Sequence, residues 1–153
     1  MKTKTSKTLA SMKRSLILAA ALLCSLGLHA AVPDRLAVRA IIGEGANQSD
    51  AAMLGIACAI RNRGTLHGVY GLNGAVTQHA SSTIWSRAER AWRQAKAGVD
   101  VAAGCKFFGC PTDAPYFLHT LHFEPVKTIG QITFYRPPTQ QHFVELACST
   151  LAR

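Results

Sequence analysis

The chain has 153 residues, with 17 Lys and Arg against 8 Asp and Glu, for a net charge of +9. Five of the basic residues fall among the first 30, which leaves 12 basic and 8 acidic residues, or +4, for the remainder. So modest a surplus suits an anionic partner such as a bacterial wall or an outer membrane face. With no nucleic-acid-binding motif in view, it excludes nucleic acid as the expected partner.

Lys2, Lys4, Lys7, Lys13 and Arg14 form a cationic lead into the apolar run at residues 15–28, which is too short to cross a bilayer comfortably. Leu28-His29-Ala30 offers a cleavage site. Residues 1–30 therefore read as a signal peptide and the product as exported, to the periplasm or the extracellular space, with no stable membrane insertion after cleavage. An uncleaved anchor is the alternative. Cys24 lies inside the run and lacks the small residue expected ahead of a lipidated cysteine. Residues 31–153 are one domain's worth of chain, enough for a single hydrophobic core, and contain no repeat or low-complexity linker.

The stretch from Asp34 to Arg63 organises the rest. At helical period Leu36, Ala37, Ala40, Ile41 and Glu44 share one face, so a carboxylate sits where the pattern asks for an apolar residue. Gly45 reads as the helix stop, which puts Glu44 in the last turn. Desolvation and the negative end of the helix dipole both favour its protonated form, the form in which a carboxyl group serves as a general acid. The plainer alternative is a glutamate turned out to water at a frayed end. Ser49 is then an N-cap with Asp50 in the first turn, Met53, Ile56, Ala57 and Ile60 recur at helical spacing, and Gly64 follows Arg61 and Arg63 as a stop.

Residues 64–83 are glycine-rich and read as loop, carrying Tyr70, Asn73, Gln78 and His79, all able to hydrogen-bond a sugar. A helix is expected over 83–97, with Ile84, Ala88, Ala91, Trp92 and Ala95 inward and Glu89–Arg93 as a surface pair. Trp85 and Trp92 have the chemistry to stack on saccharide rings, but their spacing favours the core. Residues 126–136 alternate through Ile132 and Phe134 and read as strand, stopped by Pro137-Pro138. A short helix from Gln140 would turn Phe143, Val144, Ala147 and Leu151 inward.

Four cysteines follow the export segment: Cys58, Cys105, Cys110 and Cys148. An even count in an exported chain reads as two disulfides, most simply Cys105–Cys110 and Cys58–Cys148, although three connectivities are open. A small core residue is the alternative for Cys58, and the cysteine spacing is poor for zinc. His119 and His122 lack a third ligand, and prolines bound the segment 115–125, so no metal is expected. Asp50, Asp113 and Glu124 are candidates for a second acid beside Glu44.

Several blocks carry a resemblance: Ala40-Ile41-Ile42-Gly43-Glu44, Ala57 through Ile60-Arg61-Asn62-Arg63, Gly68-Val69-Tyr70-Gly71, Pro115-Tyr116, and Thr128-Ile129-Gly130 through Phe134-Tyr135-Arg136. Together they resemble the cell-wall hydrolase family typified by spore-cortex-lytic enzymes and related phage endolysins, over nearly all of residues 31–153. The resemblance implies a mainly α (α+β) lysozyme-like domain with a small antiparallel β element. It also implies cleavage of the glycan backbone of peptidoglycan, with Glu44 as catalytic acid and no cofactor. It places Tyr70, Gln78, Tyr116 and Tyr135 around the groove as substrate contacts. The chain departs from the family pattern at Gln48, where members often carry a second Glu, at Ile132, where they usually carry His, and in the Cys105–Cys110 stretch. With one glutamate in place, a lytic transglycosylase route is expected, and a second carboxylate nearby would make the enzyme a muramidase-type hydrolase. The alternative from another class is a non-catalytic wall-binding or inhibitor protein on the same fold.

Overall fold

The computed structural model of the chain describes residues 32–138. The expected signal peptide, the helix expected from Gln140, and Cys24 and Cys148 lie outside the described residues. What is described is mainly helical, with one small antiparallel sheet.

Helix α1 spans Asp34–Gly45 and begins directly after Pro33, with Asp34 in the first turn where the dipole favours a carboxylate. Asp34 also ties this end of α1 to the C-terminal half of α4 (Ser82–Lys96). Its carboxylate accepts from Lys96 Nζ at 2.6 Å and Trp92 Nε1 at 2.8 Å, and these two donors hold its carboxyl below the ordinary value. Ala37, Ala40 and Ile41 are fully buried as the periodicity predicts. The buried face is rotated, however: Val38 and Ile42 also point inward, and Leu36 is 38% exposed. Gly45 is the last helical residue and not a left-handed stop. Ala46 caps the helix in right-handed conformation with its N–H on the Ile42 carbonyl. Gly45 lets α1 pack closely on α2 instead: a Cβ there would lie 2.9 Å from Ile56 Cδ1, and that side-chain end would have to shift.

Helix α2, Asp50–Arg63, follows its sequence signals closely. Ser49 accepts from the Ala52 N–H, and Gly64 closes the helix at φ 71° with its N–H on Ile60 and Arg61 carbonyls. Eight of its residues are buried, among them Met53, Ile56, Cys58 and Ile60. At its C-terminal end Arg61 donates to the Ala95 and Val99 carbonyls and pairs with Asp100 at 3.4 Å, while Asn62 Nδ2 reaches the Cys105 carbonyl. These bonds staple α2 to the end of α4 and to the segment leading into the sheet.

The glycine-rich stretch is more ordered than a loop. It contains a 3-10 turn, Gly71–Asn73, and a single-turn helix α3, Ala75–Gln78. Helix α4 starts one residue before the expected point, because Ser81 supplies the N-cap by accepting from the Ile84 N–H. Ala88, Ala91, Trp92 and Ala95 are buried as expected.

The sheet order is β1 (Phe107–Gly109), β3 (Ile132–Arg136), β2 (Glu124–Ile129), antiparallel throughout. The run expected as one strand over 126–136 is a hairpin. Gly130, at φ 61°, takes the first position of the two-residue turn, and Thr128 faces Thr133 with hydroxyls 3.0 Å apart. Pro125 has no N–H for the ladder, and the register shifts there. Strand β3 is central and covered on both faces. Phe134 lies against α2, where a Cβ on Gly55 would meet its ring at 2.4 Å, and Tyr135 stacks on Phe117 at 4.4 Å.

Strand β1 also overturns the expected Cys105–Cys110 bridge. Five residues laid out around an extended strand separate the two cysteines by on the order of 15 Å, beyond disulfide reach. Cys105 turns into the core, Cys110 Sγ faces Thr112 Oγ1 and Asp113 Oδ2, and among the described residues Cys58, Cys105 and Cys110 form no disulfide with one another. Cys58 Sγ donates to the Val99 carbonyl at 3.2 Å.

Candidate active site

The site begins with a backbone contact. Gly43 on α1 and Gly71 at the start of the 3-10 turn meet so closely that a Cβ on Gly43 would lie 2.0 Å from the Gly71 oxygen. One on Gly71 would lie 2.5 Å from the Gly43 carbonyl carbon. Only glycine permits this approach. It delivers the Gly71 N–H to the next side chain along α1, and Glu44 Oε1 accepts it at 2.7 Å. Buried Thr77 fixes the turn from behind, donating its hydroxyl to the Gly71 carbonyl at 2.8 Å. Glu44 is therefore half-buried at the wall of a groove and not sealed within the helix stripe.

That groove encloses about 560 Å³. Glu44, Gln48, Arg63, His67 and Tyr70 line the side formed by the helices and the loop that follows α2. The rest of the wall comes from β1 and the segment that follows it: Phe107, Phe108, Cys110, Asp113, Tyr116, Phe117 and Leu121. Tyr70 and Tyr116 are 92% and 56% exposed, so their rings are free to stack on a ligand. Tyr116 opens a one-turn π-helical segment, Tyr116–Thr120, which carries Phe117 into the wall.

Of the residues expected around the groove, Glu44, Tyr70 and Tyr116 line it. Gln78 does not. It is exposed on α3, with its amide donating to the Asn73 carbonyl at 3.2 Å. Tyr135 is 1% exposed and acts one layer deeper, as the platform under Phe117, and burial pushes its hydroxyl pKa up. Among the candidate second acids, Asp113 shares the groove, its Oδ2 accepting from Cys110 N–H at 2.9 Å. Asp50 is engaged by Arg87 and Arg90, away from it. The three departures from the pattern that the sequence resembles, Gln48, Ile132 and the Cys105–Cys110 stretch through residues 107–110, all contribute to the groove lining. Among the described residues no three His, Cys, Asp or Glu side chains gather as metal ligands.

Arg63 is the main residue that the sequence reading missed. Its guanidinium lies over the Phe107 ring, 5.7 Å from the centroid. Burial lowers its pKa, and the nearby Glu44 charge acts in the opposite sense. The signal was present: Ile56, Ile60 and Arg63 follow i, i+4, i+7, so a cation continues an inward stripe as Glu44 does on α1.

No family model and no curated protein matches the chain. Among solved structures it is similar to the catalytic domain of the Bacillus cereus SleB protein, with 19% identity and a TM-score of 0.49, covering 67% of this chain and 88% of that one.

Proposed function

We propose that the protein is an exported peptidoglycan-degrading glycosidase that cuts the glycan backbone as a lytic transglycosylase, with Glu44 as general acid and then base. The observation that carries this reading is Glu44 itself. It is a carboxyl group held by one backbone N–H at the wall of a groove, with exposed tyrosines at hand for sugar rings. In the first step the protonated carboxyl group gives its proton to the glycosidic oxygen as the bond from the muramic anomeric carbon to that oxygen breaks. The muramic 6-hydroxyl then attacks the anomeric carbon, and Glu44, now a carboxylate, takes the hydroxyl proton. The product is a 1,6-anhydro sugar, and the enzyme returns to its starting protonation state. No cofactor takes part.

Asp113 supports a second reading, hydrolysis, because it is a carboxylate in the same groove. The products separate the two, since a hydrolysed muramic end is heavier than an anhydro end by one water. Action outside the cytoplasmic membrane is part of the proposal through residues 1–30. No helix among the described residues is long and apolar enough to span a bilayer. Incubating the full chain with purified peptidoglycan and weighing the released muropeptides tests the proposal. Release of anhydro-ended fragments is the expected result, and intact glycan after prolonged incubation would overturn it.

A further inference from the structure

A groove that binds only neutral sugars has no need of a cation held ready. Arg63 is such a cation. Among the described residues its buried Nε has no hydrogen-bond partner, and it joins no ion pair. By contrast its neighbour Arg61, two residues earlier, is fully engaged by carbonyls and Asp100. The Arg63 guanidinium is braced on Phe107 and shares the groove with Glu44. Glu44 is a nearby opposite charge, but among the described residues no ion pair joins the two, and an anionic ligand that meets the guanidinium's fork of donors offsets the cost of its burial.

Resting on the glycosidase reading above, we propose that Arg63 recognises a carboxylate on the substrate, namely the free lactyl carboxylate of a muramic residue whose peptide has been removed. A stem peptide offers carboxylates too. Arg63, however, sits in the groove of the acid, where a group attached directly to the ring at the cleaved bond arrives. The far end of a flexible peptide is not held there. The preferred substrate is then a glycan strand stripped of peptide, and Arg63 is its specificity determinant. Arg63 binds and orients, and the proton transfers stay with Glu44.

The test uses the full chain with Glu44→Gln to keep strands intact, and compares three soluble glycans: peptide-stripped, stripped with the lactyl carboxylate capped as methylamide, and stem-bearing. Stripped strands should bind about tenfold tighter than both others. Arg63→Met should bring the three to equal affinity, and Arg63→Lys should retain part of the preference. On the wild-type chain, N-acetylmuramic acid should shift the Arg63 Nε–H resonance, and N-acetylglucosamine should not. Equal affinity for all three glycans before mutation, or stem-bearing strands binding as tightly as stripped ones, would overturn the proposal. Cleavage of peptidoglycan with no Arg63 shift would also overturn it while leaving the glycosidase reading intact. A muramate-specific shift in a chain that cleaves nothing would keep the carboxylate site and remove the enzyme.

Discussion

Gly43 and Gly71 touch backbone to backbone, and the hydrogen bond that holds Glu44 exists because they do. Adding one methyl group to either glycine must separate α1 from the 3-10 turn, since both partners are main chain and cannot swing aside. Gly71→Ala should therefore cost ~1–3 kcal/mol of stability. It should also reduce turnover more than that loss explains, because the Gly71 N–H withdraws from Glu44. Thermal melts and muropeptide release measured on the same preparation check both effects. A Gly71→Ala protein as stable and active as wild type would mean that the contact has no such role.

The two tyrosines lining the groove and the one beneath it should separate cleanly. Tyr70→Ala and Tyr116→Ala each remove an exposed ring from the groove and should weaken binding to insoluble wall about fivefold, or ~1 kcal/mol, with the fold unchanged. Tyr135→Phe keeps the ring that stacks on Phe117 and should leave binding intact, whereas Tyr135→Ala removes the platform and should destabilise the domain by ~3 kcal/mol or more. Sedimentation with purified wall and chemical denaturation give the two readouts. Strong loss of binding in a stable Tyr135→Phe protein would return Tyr135 to the groove.

Where local chemistry decides, the sequence was legible. Ser49 and Gly64 bound α2 as their side chain and backbone freedom dictate, and the apolar spacing of α4 put Ala88, Trp92 and Ala95 inward. Glu44 was visible as a carboxylate out of place on an apolar stripe. What local pattern could not show were features made by partners distant in the chain. Phe107–Gly109 is a strand only because β3 pairs with it, and that pairing is what parts Cys105 from Cys110. Tyr135 and Phe134 are consecutive yet both buried, because β3 is covered on both faces, where alternation would have put one outside. Gly45 carries the residue type of a helix stop, but what the fold uses it for is close packing of α1 on α2.

The buried thiols give a pH dependence with a definite sign. Burial pushes Cys58 and Cys105 above the ordinary value of 9.0, so the folded chain keeps protons that the unfolded chain releases. Above that value the folded state binds more protons than the unfolded one, and stability falls as pH rises. The contribution is fully present below the ordinary thiol value and is lost as pH climbs through the raised one. Tyr135 acts in the same sense above its ordinary 10.0. Denaturation midpoints should fall from about pH 8 to about pH 10, less steeply in Cys105→Ala. Thiol labelling of the native protein should modify Cys110 before Cys58 and Cys105. A Cys105 and Cys110 pair that reacts only after reduction would contradict the arrangement described here.

Glu44 has two separable jobs, and two substitutions divide them. As an acceptor it satisfies the Gly71 N–H. As an acid it would give up a proton to the substrate. Glu44→Gln keeps the first job, since the amide oxygen accepts from the same N–H in the same place, and the domain should stay within about 0.5 kcal/mol of wild type. It abolishes the second, and turnover should fall by at least about a hundredfold, the usual contribution of a positioned acid. Glu44→Ala loses both jobs: it leaves the Gly71 N–H without its acceptor and should cost ~1–3 kcal/mol as well as activity. The Gln protein should still bind wall as wild type does, because the tyrosines and Arg63 are untouched. A Glu44→Gln protein with full turnover would end the reading of Glu44 as the acid, whatever Glu44→Ala does. If the Gln protein is inactive but stable and still binds wall, the lost rate is the lost proton.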